Sequence, residues 1–166
     1  MKKVKPIYDE DYDICYIIPD YNGQTILEIG SDYGSTAYYF FGKGAKKVIS
    51  IEENPALHKM ALANKEEDEN WTPICKKIEN SEDLKELLFE HKPTLLHMDC
   101  ELCETNLLDV PIEAFDGVEW LQIEIHNYAK LHNDFLLKFK DFGYTLIRDF
   151  IYEGRQCWIT AWRKEK

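Results

Sequence analysis

The feature that most constrains the fold of this chain is a regular alternation of short apolar segments with segments of helical spacing. Runs rich in apolar and β-branched residues predict strands at Thr25–Ile29, Lys47–Ile51, Thr72–Ile78, Thr94–Met98 and Val118–Ile125. Helices are predicted at Ser35–Phe41, Pro55–Lys65, Ser81–Glu90 and Leu131–Phe139. Strand and helix therefore alternate five times, which is typical of a mostly parallel sheet covered by helices.

The carboxyl-terminal part of the chain breaks this alternation. Tyr144–Ile151 and Gln156–Trp162 have the pattern of strands, and the residues between them leave no room for a helix. These two strands are therefore predicted to form an antiparallel hairpin. The predicted fold class is α/β, a Rossmann-like, doubly wound and mostly parallel sheet that ends in this hairpin.

The length and composition predict one compact domain. The chain has 166 residues, of which 45% are hydrophobic, and that is enough for one core but short for two domains. Residues 25–166 are predicted to form the domain, with residues 1–24 as an extension that could cover the first strand. The amino-terminal residues lack the apolar stretch of a signal peptide, and no apolar run is long enough to span a membrane. We therefore expect a cytoplasmic protein.

The charge of the chain limits its partners. Thirty-one acidic residues outweigh twenty basic ones, which gives a formal net charge of −11. A negative protein repels phosphate backbones and anionic lipid surfaces, and its basic doublets are short and scattered. The sequence thus predicts no nucleic-acid partner and no membrane partner, and it leaves a small-molecule substrate as the expected one.

The cysteines predict reduced thiols rather than a disulfide framework. Five cysteines are spread through apolar segments, and an odd number does not suggest a secreted, bridged protein. Cys100 and Cys103 form a C-x-x-C pair, so zinc binding and dithiol chemistry remain alternatives. A structural zinc site needs a second ligand pair, and the other cysteines offer none at matching spacing.

A glycine-containing turn follows the first predicted strand. Gly30 and Gly34 allow backbone N–H groups to approach a ligand at the start of the next helix. A dinucleotide fingerprint would need glycine where this chain has Asp32 and Ser35. Glu28 places a further acid before the turn, which would repel a pyrophosphate and attract a cation. The turn therefore predicts S-adenosylmethionine, which carries an ammonium and a sulfonium group, rather than NAD.

Two further acids follow the second and third strands. Glu52 lies where it can accept hydrogen bonds from both ribose hydroxyls of an adenosine cofactor. Glu79 could face the adenine amino group, or could be an ordinary exposed acid. Both residues fit an adenosine ligand without distinguishing S-adenosylmethionine from NAD, so the choice rests on Glu28 and Asp32.

Three motifs resemble the class I S-adenosylmethionine-dependent methyltransferases, and within them the FkbM group. Leu27–Gly34 is similar to the D-x-G-A-N-x-G motif of that family, and Ile51–Pro55 is similar to its E-P-N-P motif. Leu96–Glu104 resembles K-x-D-x-E-G-x-E, with Leu102 where the family has glycine and His97 where it often has lysine. The resemblance spans about residues 25–162.

This resemblance implies a seven-stranded methyltransferase fold and methyl transfer to an oxygen of a small molecule or sugar. The cofactor-binding residues that the turn and the resemblance together predict are Glu28, Gly30, Ser31, Asp32, Tyr33, Gly34, Glu52, Glu53, Glu79 and Asp99. The short chain leaves few residues for a lid, so a second subunit of a homo-oligomer could complete the acceptor site.

Four acids and a histidine fall at the carboxyl ends of the fourth and fifth strands, namely Asp99, Glu101, Glu104, Glu124 and His126. Asp99, His126 and Glu101 are the candidates, in that order, for the general base that accepts the hydroxyl proton. His126 has an ordinary pKa near neutrality. The same group could instead ligate a hard divalent metal such as magnesium, although the spacing does not demand one.

Two functions of other classes remain open. A methyltransferase-like module could bind the cofactor without catalysing transfer, and an NAD-linked oxidoreductase would have to tolerate acids beside a pyrophosphate.

Overall fold

A seven-stranded sheet forms the centre of the protein. The computed structural model describes residues 12, 18, 20–65, 67–152 and 157–165. The strands are β1 (Thr25–Ile29), β2 (Lys47–Glu52), β3 (Trp71–Cys75), β4 (Leu95–Met98), β5 (Trp120–His126), β6 (Tyr144–Tyr152) and β7 (Cys157–Lys164). Their order is β3-β2-β1-β4-β5-β7-β6, in which β1 to β5 are parallel and β7 is antiparallel to both of its neighbours. The predicted fold class, including the closing hairpin, is confirmed.

Helices connect the parallel strands. They are α1 (Ser35–Gly42), α2 (Pro55–Lys65), α3 (Ser81–His91) and α4 (Tyr128–Asp141), with 3₁₀ helices at Cys103–Asp109 and Ile112–Phe115 between β4 and β5. The start of α3 is fixed by Asn80, whose side-chain oxygen accepts the N–H groups of Glu82 and Asp83. Such a cap satisfies donors that have no partner inside the helix.

The helices cover both faces of the sheet, and each face has its own apolar core. On one face, Phe40 of α1 and Ala61 of α2 pack with Trp71. On the other, side chains of α3, α4 and the 3₁₀ helices form one core together with Trp158 and Trp162. Because β1, β2, β4 and β5 are covered on both sides, nearly all of their residues are buried, and this explains their continuous apolar sequences.

The strand order reverses at the centre of the sheet. The chain runs outward from β1 to β2 and β3, and then returns to place β4 on the other side of β1. The helices that follow β1 and β4 consequently leave on opposite sides, which opens a crevice beyond the carboxyl ends of these strands.

The structure changes several predicted boundaries. The third strand ends at Cys75 rather than Ile78; it is an edge strand, which explains why Pro73 is tolerated within it. The fourth helix is longer than predicted at both ends. No α-helix connects β4 to β5 among the described residues; two 3₁₀ helices do, so the fivefold alternation with α-helices was wrong at that point.

Two sequence-based predictions lie mainly outside the described residues, namely the amino-terminal extension before residue 20 and the tip of the hairpin at 153–156. Within the part of the chain that the structure describes, no helix is long and apolar enough to cross a membrane.

Candidate functional site

A cavity of about 460 Å³ lies beyond the carboxyl ends of β1, β2 and β4. This volume is within the range of small-molecule sites. Its lining comprises Tyr12, Ile29, Gly30, Asp32, Tyr33, Ser35, Thr36, Ile51, Glu52, Glu53, Leu57, Lys76, Ile78, Asp99, Cys100, Glu101 and Cys103. Five of these residues are acidic and one is a lysine, so the cavity is suited to a ligand with positive charge.

Gly30 makes a close backbone contact between β1 and the loop after β4. Its φ is 88°, and a Cβ built there would lie 1.9 Å from the carbonyl oxygen of Asp99. The N–H of Asp99 in turn donates to the carbonyl of Ile29 at 3.0 Å. Glycine at this position therefore lets Asp99 lie directly against the turn, at the cavity wall.

Gly34 and Ser31 belong to the glycine turn and contact Trp71 of β3 and Ile51 of β2. A Cβ at Gly34 would lie 2.2 Å from the Trp71 ring, which donates from Nε1 to Ser50 at 2.8 Å. Ser31 is fully buried, and its N–H donates to the carbonyl of Ile51. Neither Gly34 nor Ser31 is among the residues that line the cavity, and their contact with a cofactor stays a prediction.

Glu52 connects the end of β2 to the glycine turn. One carboxylate oxygen accepts the N–H of Asp32 at 2.8 Å, and the other accepts the N–H of Asn54 at 2.7 Å. Burial raises the pKa of Glu52, and these two hydrogen bonds oppose the rise. Each oxygen retains acceptor capacity, so Glu52 can fix the turn and still accept hydrogen bonds from a ligand.

Glu28 lies inside the sheet, not on the cavity wall. It is completely buried on β1, where it pairs in register with Ser50 and His97. Burial raises the pKa of Glu28 to about 8. A hydrogen bond from the Thr36 side chain opposes this rise, whereas the negative charge of nearby carboxylates, of which Asp99 has the largest effect, adds to it. Near neutral pH the group is therefore mostly protonated, and it does not present the fixed negative charge that the sequence analysis assigned to it.

Glu79 lies away from the cavity. It is exposed, and its N–H donates to the side chain of Asp83 at 3.0 Å. The same segment instead contributes Ile78 and Lys76 to the lining, and Lys76 forms an ion pair with Asp83 at 2.9 Å. No sequence pattern indicates these two residues, because their position at the cavity depends on how β3 ends at the sheet edge.

A second group of polar side chains lies beside the cavity, around His126 at the end of β5. Glu104 is fully buried, and its carboxylate accepts a hydrogen bond from the backbone N–H of His126 at 2.8 Å. The same carboxylate oxygen forms a second hydrogen bond with Nδ1 of the His126 ring at 3.1 Å. The other ring nitrogen, Nε2, lies 3.5 Å from Glu101 and 3.6 Å from Glu124. Glu104 and Glu124, which the sequence placed near these strand ends without a role, thus become the immediate neighbours of the ring.

These carboxylates change the chemistry of His126. Its hydrogen bond to Glu104 raises its pKa to about 9; burial opposes the rise, and the charges of Glu104, Glu124 and Glu101 add to it. The predicted base near neutral pH is therefore corrected: His126 carries a proton at pH 7 and cannot accept another.

The prediction of reduced thiols is wrong for the C-x-x-C pair. Cys100 and Cys103 form a disulfide with Cα atoms 5.5 Å apart, and both line the cavity. The residues between them, Glu101 and Leu102, have φ values of 53° and 92°. Leu102 thus adopts a backbone conformation that favours glycine, at the position where the resembling family has glycine. Outside the bridge, Cys75 is exposed and Cys157 is buried.

Comparison with known sequences relates the chain to a viral protein. Uncharacterized protein 158B of Sulfolobus islandicus rod-shaped virus 1 is 31% identical to the chain over 147 residues, and the match covers 89% of each protein. The chain belongs to the same family as this viral protein. Uncharacterized protein 65 of the Sulfolobus islandicus filamentous virus is 28% identical to the chain over 154 residues, which cover 90% of this chain and 87% of that protein. No family model matches the sequence.

Comparison with solved structures identifies proteins that share the fold of this chain. The fibrillarin of Aeropyrum pernix, in complex with natively bound S-adenosyl-L-methionine, superposes with a TM-score of 0.66 at 14% identity, over 87% of this chain and 68% of that one. The ribosomal protein L11 methylase of Lactobacillus delbrueckii gives a TM-score of 0.59 at 18% identity, over 87% and 72%. The structural neighbours are class I S-adenosylmethionine-dependent methyltransferases, and at such low identity the likeness establishes the fold.

The site residues predicted for this family member divide into two groups. Seven of them line the cavity, namely Gly30, Asp32, Tyr33, Glu52, Glu53, Asp99 and Glu101. Glu28, Ser31, Gly34, Glu79 and His126 do not, although His126 lies next to Glu101. The roles of the lining residues stay predictions.

Proposed function

We propose that the protein is an S-adenosylmethionine-dependent methyltransferase that binds its cofactor in the cavity beyond β1, β2 and β4. The observation that carries this proposal is the acidic lining around a close glycine turn. Five carboxyl groups oppose a pyrophosphate and favour a ligand that carries ammonium and sulfonium charges. The bound S-adenosyl-L-methionine of a structural neighbour supports the same choice.

The parts of the cavity fit different parts of such a cofactor. We assign the ribose hydroxyls to Glu52, because this residue lines the cavity and each of its carboxylate oxygens keeps acceptor capacity. The apolar side chains of Ile51, Leu57 and Ile78 suit the adenine ring. Asp99, close to Gly30, is placed for the ammonium group.

The acceptor in this proposal is a small molecule or sugar with a hydroxyl group. When bound, S-adenosylmethionine supplies a methyl group that transfers to the acceptor oxygen, while the carbon–sulfur bonding electrons stay on sulfur and the hydroxyl proton is released. Asp99 and Glu101 line the cavity and are our candidates to take that proton. His126 already carries a proton near neutral pH, so it is not a candidate for this base.

The charge of the chain supports a small acceptor over a nucleic acid. The net charge is −11, and the acids around the cavity would repel phosphate groups. The finer assignment to the FkbM group belongs to the same proposal. The positive φ of Leu102 supports it, because a glycine-like turn occurs where that group has glycine.

Calorimetric titration tests the cofactor. We expect S-adenosylmethionine to bind the wild-type chain and NADH not to bind. Glu52→Gln should weaken S-adenosylmethionine about tenfold, since it removes one hydrogen-bond acceptor, worth ~1 kcal/mol, at the turn and the ribose. Exposed Glu113 provides the matched control, and Glu113→Gln should leave the affinity unchanged.

The outcomes separate the three classes of function. Binding of NADH, or no binding of S-adenosylmethionine at millimolar concentration, would contradict the proposal. Transfer of labelled methyl groups to a panel of sugars and small alcohols then tests catalysis. Tight cofactor binding without transfer to any hydroxyl would instead favour a non-catalytic binding module.

A further inference from the structure

Three potential metal ligands meet at the carboxyl ends of β4 and β5. Asp99, Glu101 and His126 each offer one ligand atom, and these atoms all lie within 4.8 Å of one another. Two ligands on opposite sides of an ion with bonds near 2.1 Å are about 4 Å apart. The three side chains therefore need only a small adjustment to bind one ion together.

A buried carboxylate orients the histidine of this group. Glu104 is fully buried and accepts from both the backbone N–H and Nδ1 of His126. This interaction fixes the ring and directs Nε2 toward Glu101, 3.5 Å away. Histidines that bind metals usually have such a carboxylate on their second nitrogen, where it orients the ring and sets its tautomer.

A concentration of carboxyl groups around the ring is the second feature of this group of side chains. Glu104 and Glu124 have 0% and 6% of their surface exposed, and both form ion pairs with the same imidazole. Asp99 and Glu101 add two more carboxyl groups beside it. The ring therefore lies among four carboxyl groups, and this concentration of negative charge favours a cation as the ligand.

We propose that Asp99, Glu101 and the Nε2 atom of His126 bind one divalent first-row transition-metal ion, which displaces the proton from Nε2 to solvent, with Glu104 as the positioning residue on Nδ1. The donor set favours Mn²⁺ over Mg²⁺, because imidazole suits transition metals whereas Mg²⁺ prefers oxygen ligands and water. The site lies beside the cavity that Asp99 and Glu101 also line. An ion there would attract an acceptor oxygen; that use rests on the proposed function, whereas metal binding itself does not.

Mn²⁺ titration of the full chain, followed by electron paramagnetic resonance and calorimetry, tests the site. The protein is first treated with chelator and measured without S-adenosylmethionine, in 150 mM KCl to suppress weak binding to its acidic surface. Thiol reductants are omitted, because the Cys100–Cys103 bridge flanks Glu101. We expect one saturable Mn²⁺ site per chain, and Mg²⁺ binding at least about tenfold weaker.

Variants connect the binding to these side chains. Glu101→Gln should weaken Mn²⁺ at least about tenfold; the Glu101 side chain is 86% exposed, so this substitution leaves the fold intact. His126→Ala should weaken Mn²⁺ similarly, with circular dichroism to verify folding. Glu113→Gln removes an acid of the same charge away from the group and should not change the affinity.

The proposal is overturned by three results. These are the absence of saturable binding up to about 1 mM Mn²⁺, binding that Glu101→Gln leaves unchanged, or an equal loss in Glu113→Gln. S-adenosylmethionine titrated into the same samples keeps the two proposals distinguishable. Mn²⁺ binding without cofactor binding would reject only the methyltransferase, and cofactor binding without Mn²⁺ binding would reject only the metal site.

Discussion

Glu28 is a carboxyl group enclosed by the central strands, and its ionisation opposes folding. In the folded chain burial raises its pKa from 4.5 to about 8. Between these two pH values the folded state retains a proton that the unfolded state releases. The contribution of Glu28 to the free energy of unfolding therefore falls as pH rises through that window.

Glu28→Gln should reduce this pH dependence. Glutamine stays uncharged, so the variant should lose less stability than the wild type between pH 5 and pH 9, with a difference of a few kcal/mol. Urea unfolding at both pH values measures it, and the comparison of slopes removes any fixed cost of the buried amide. Equal slopes would show that Glu28 ionises normally in the folded chain; the exposed-site variant Glu113→Gln should retain the wild-type slope.

At the scale of elements, the loop from β4 into the first 3₁₀ helix is constrained in two ways. It turns through two residues with positive φ, Glu101 and Leu102, between the cysteines of the disulfide. A leucine rarely adopts this conformation. The bridge restricts the unfolded chain as well, which makes the turn less costly to form.

Removing the bridge should therefore destabilise the protein. For so short a loop the chain-entropy model gives about 2 kcal/mol, so we expect the double variant Cys100→Ser/Cys103→Ser to unfold at lower urea concentration. Cys75→Ser is the matched control, because Cys75 is exposed and outside the bridge. If the double variant were as stable as Cys75→Ser, the disulfide would have no part in holding this turn.

At the scale of the whole molecule, the net charge bears on which partners this fold can bind. Fibrillarin of Methanococcus jannaschii, a pre-rRNA processing protein, has a TM-score of 0.64 with the chain. The fold is thus compatible with an RNA substrate, but a net charge of −11 provides no general attraction for phosphates. Partner choice is therefore a property of the surface, not of the sheet.

We expect no measurable binding to a labelled single-stranded RNA of about 20 nucleotides in 150 mM KCl. Fluorescence anisotropy at protein concentrations up to about 50 μM measures this, a range that covers ordinary non-specific binding. Micromolar binding that weakens steeply as salt increases would contradict the small-molecule acceptor and indicate a local basic surface.

The sequence by itself determined the order of the strands and helices, because alternating apolar segments and the final hairpin depend on local periodicity. It also located the glycine turn, Glu52 and Asp99, since loops after parallel strands of such a sheet collect at one edge. It could not determine which acids are ionised. Glu28 and His126 owe their pKa values to burial and to neighbours that are distant in sequence.

Only the tertiary structure decided which side chains act together. Glu104 meets His126 across 22 residues, and Lys76 enters the cavity because β3 ends early at the sheet edge. The disulfide likewise depended on the turn at Glu101 and Leu102, which brings the two sulfur atoms together. Sequence patterns record the periodicity of each element, whereas charge, bonding and cavity shape depend on distances between elements, and packing sets these distances.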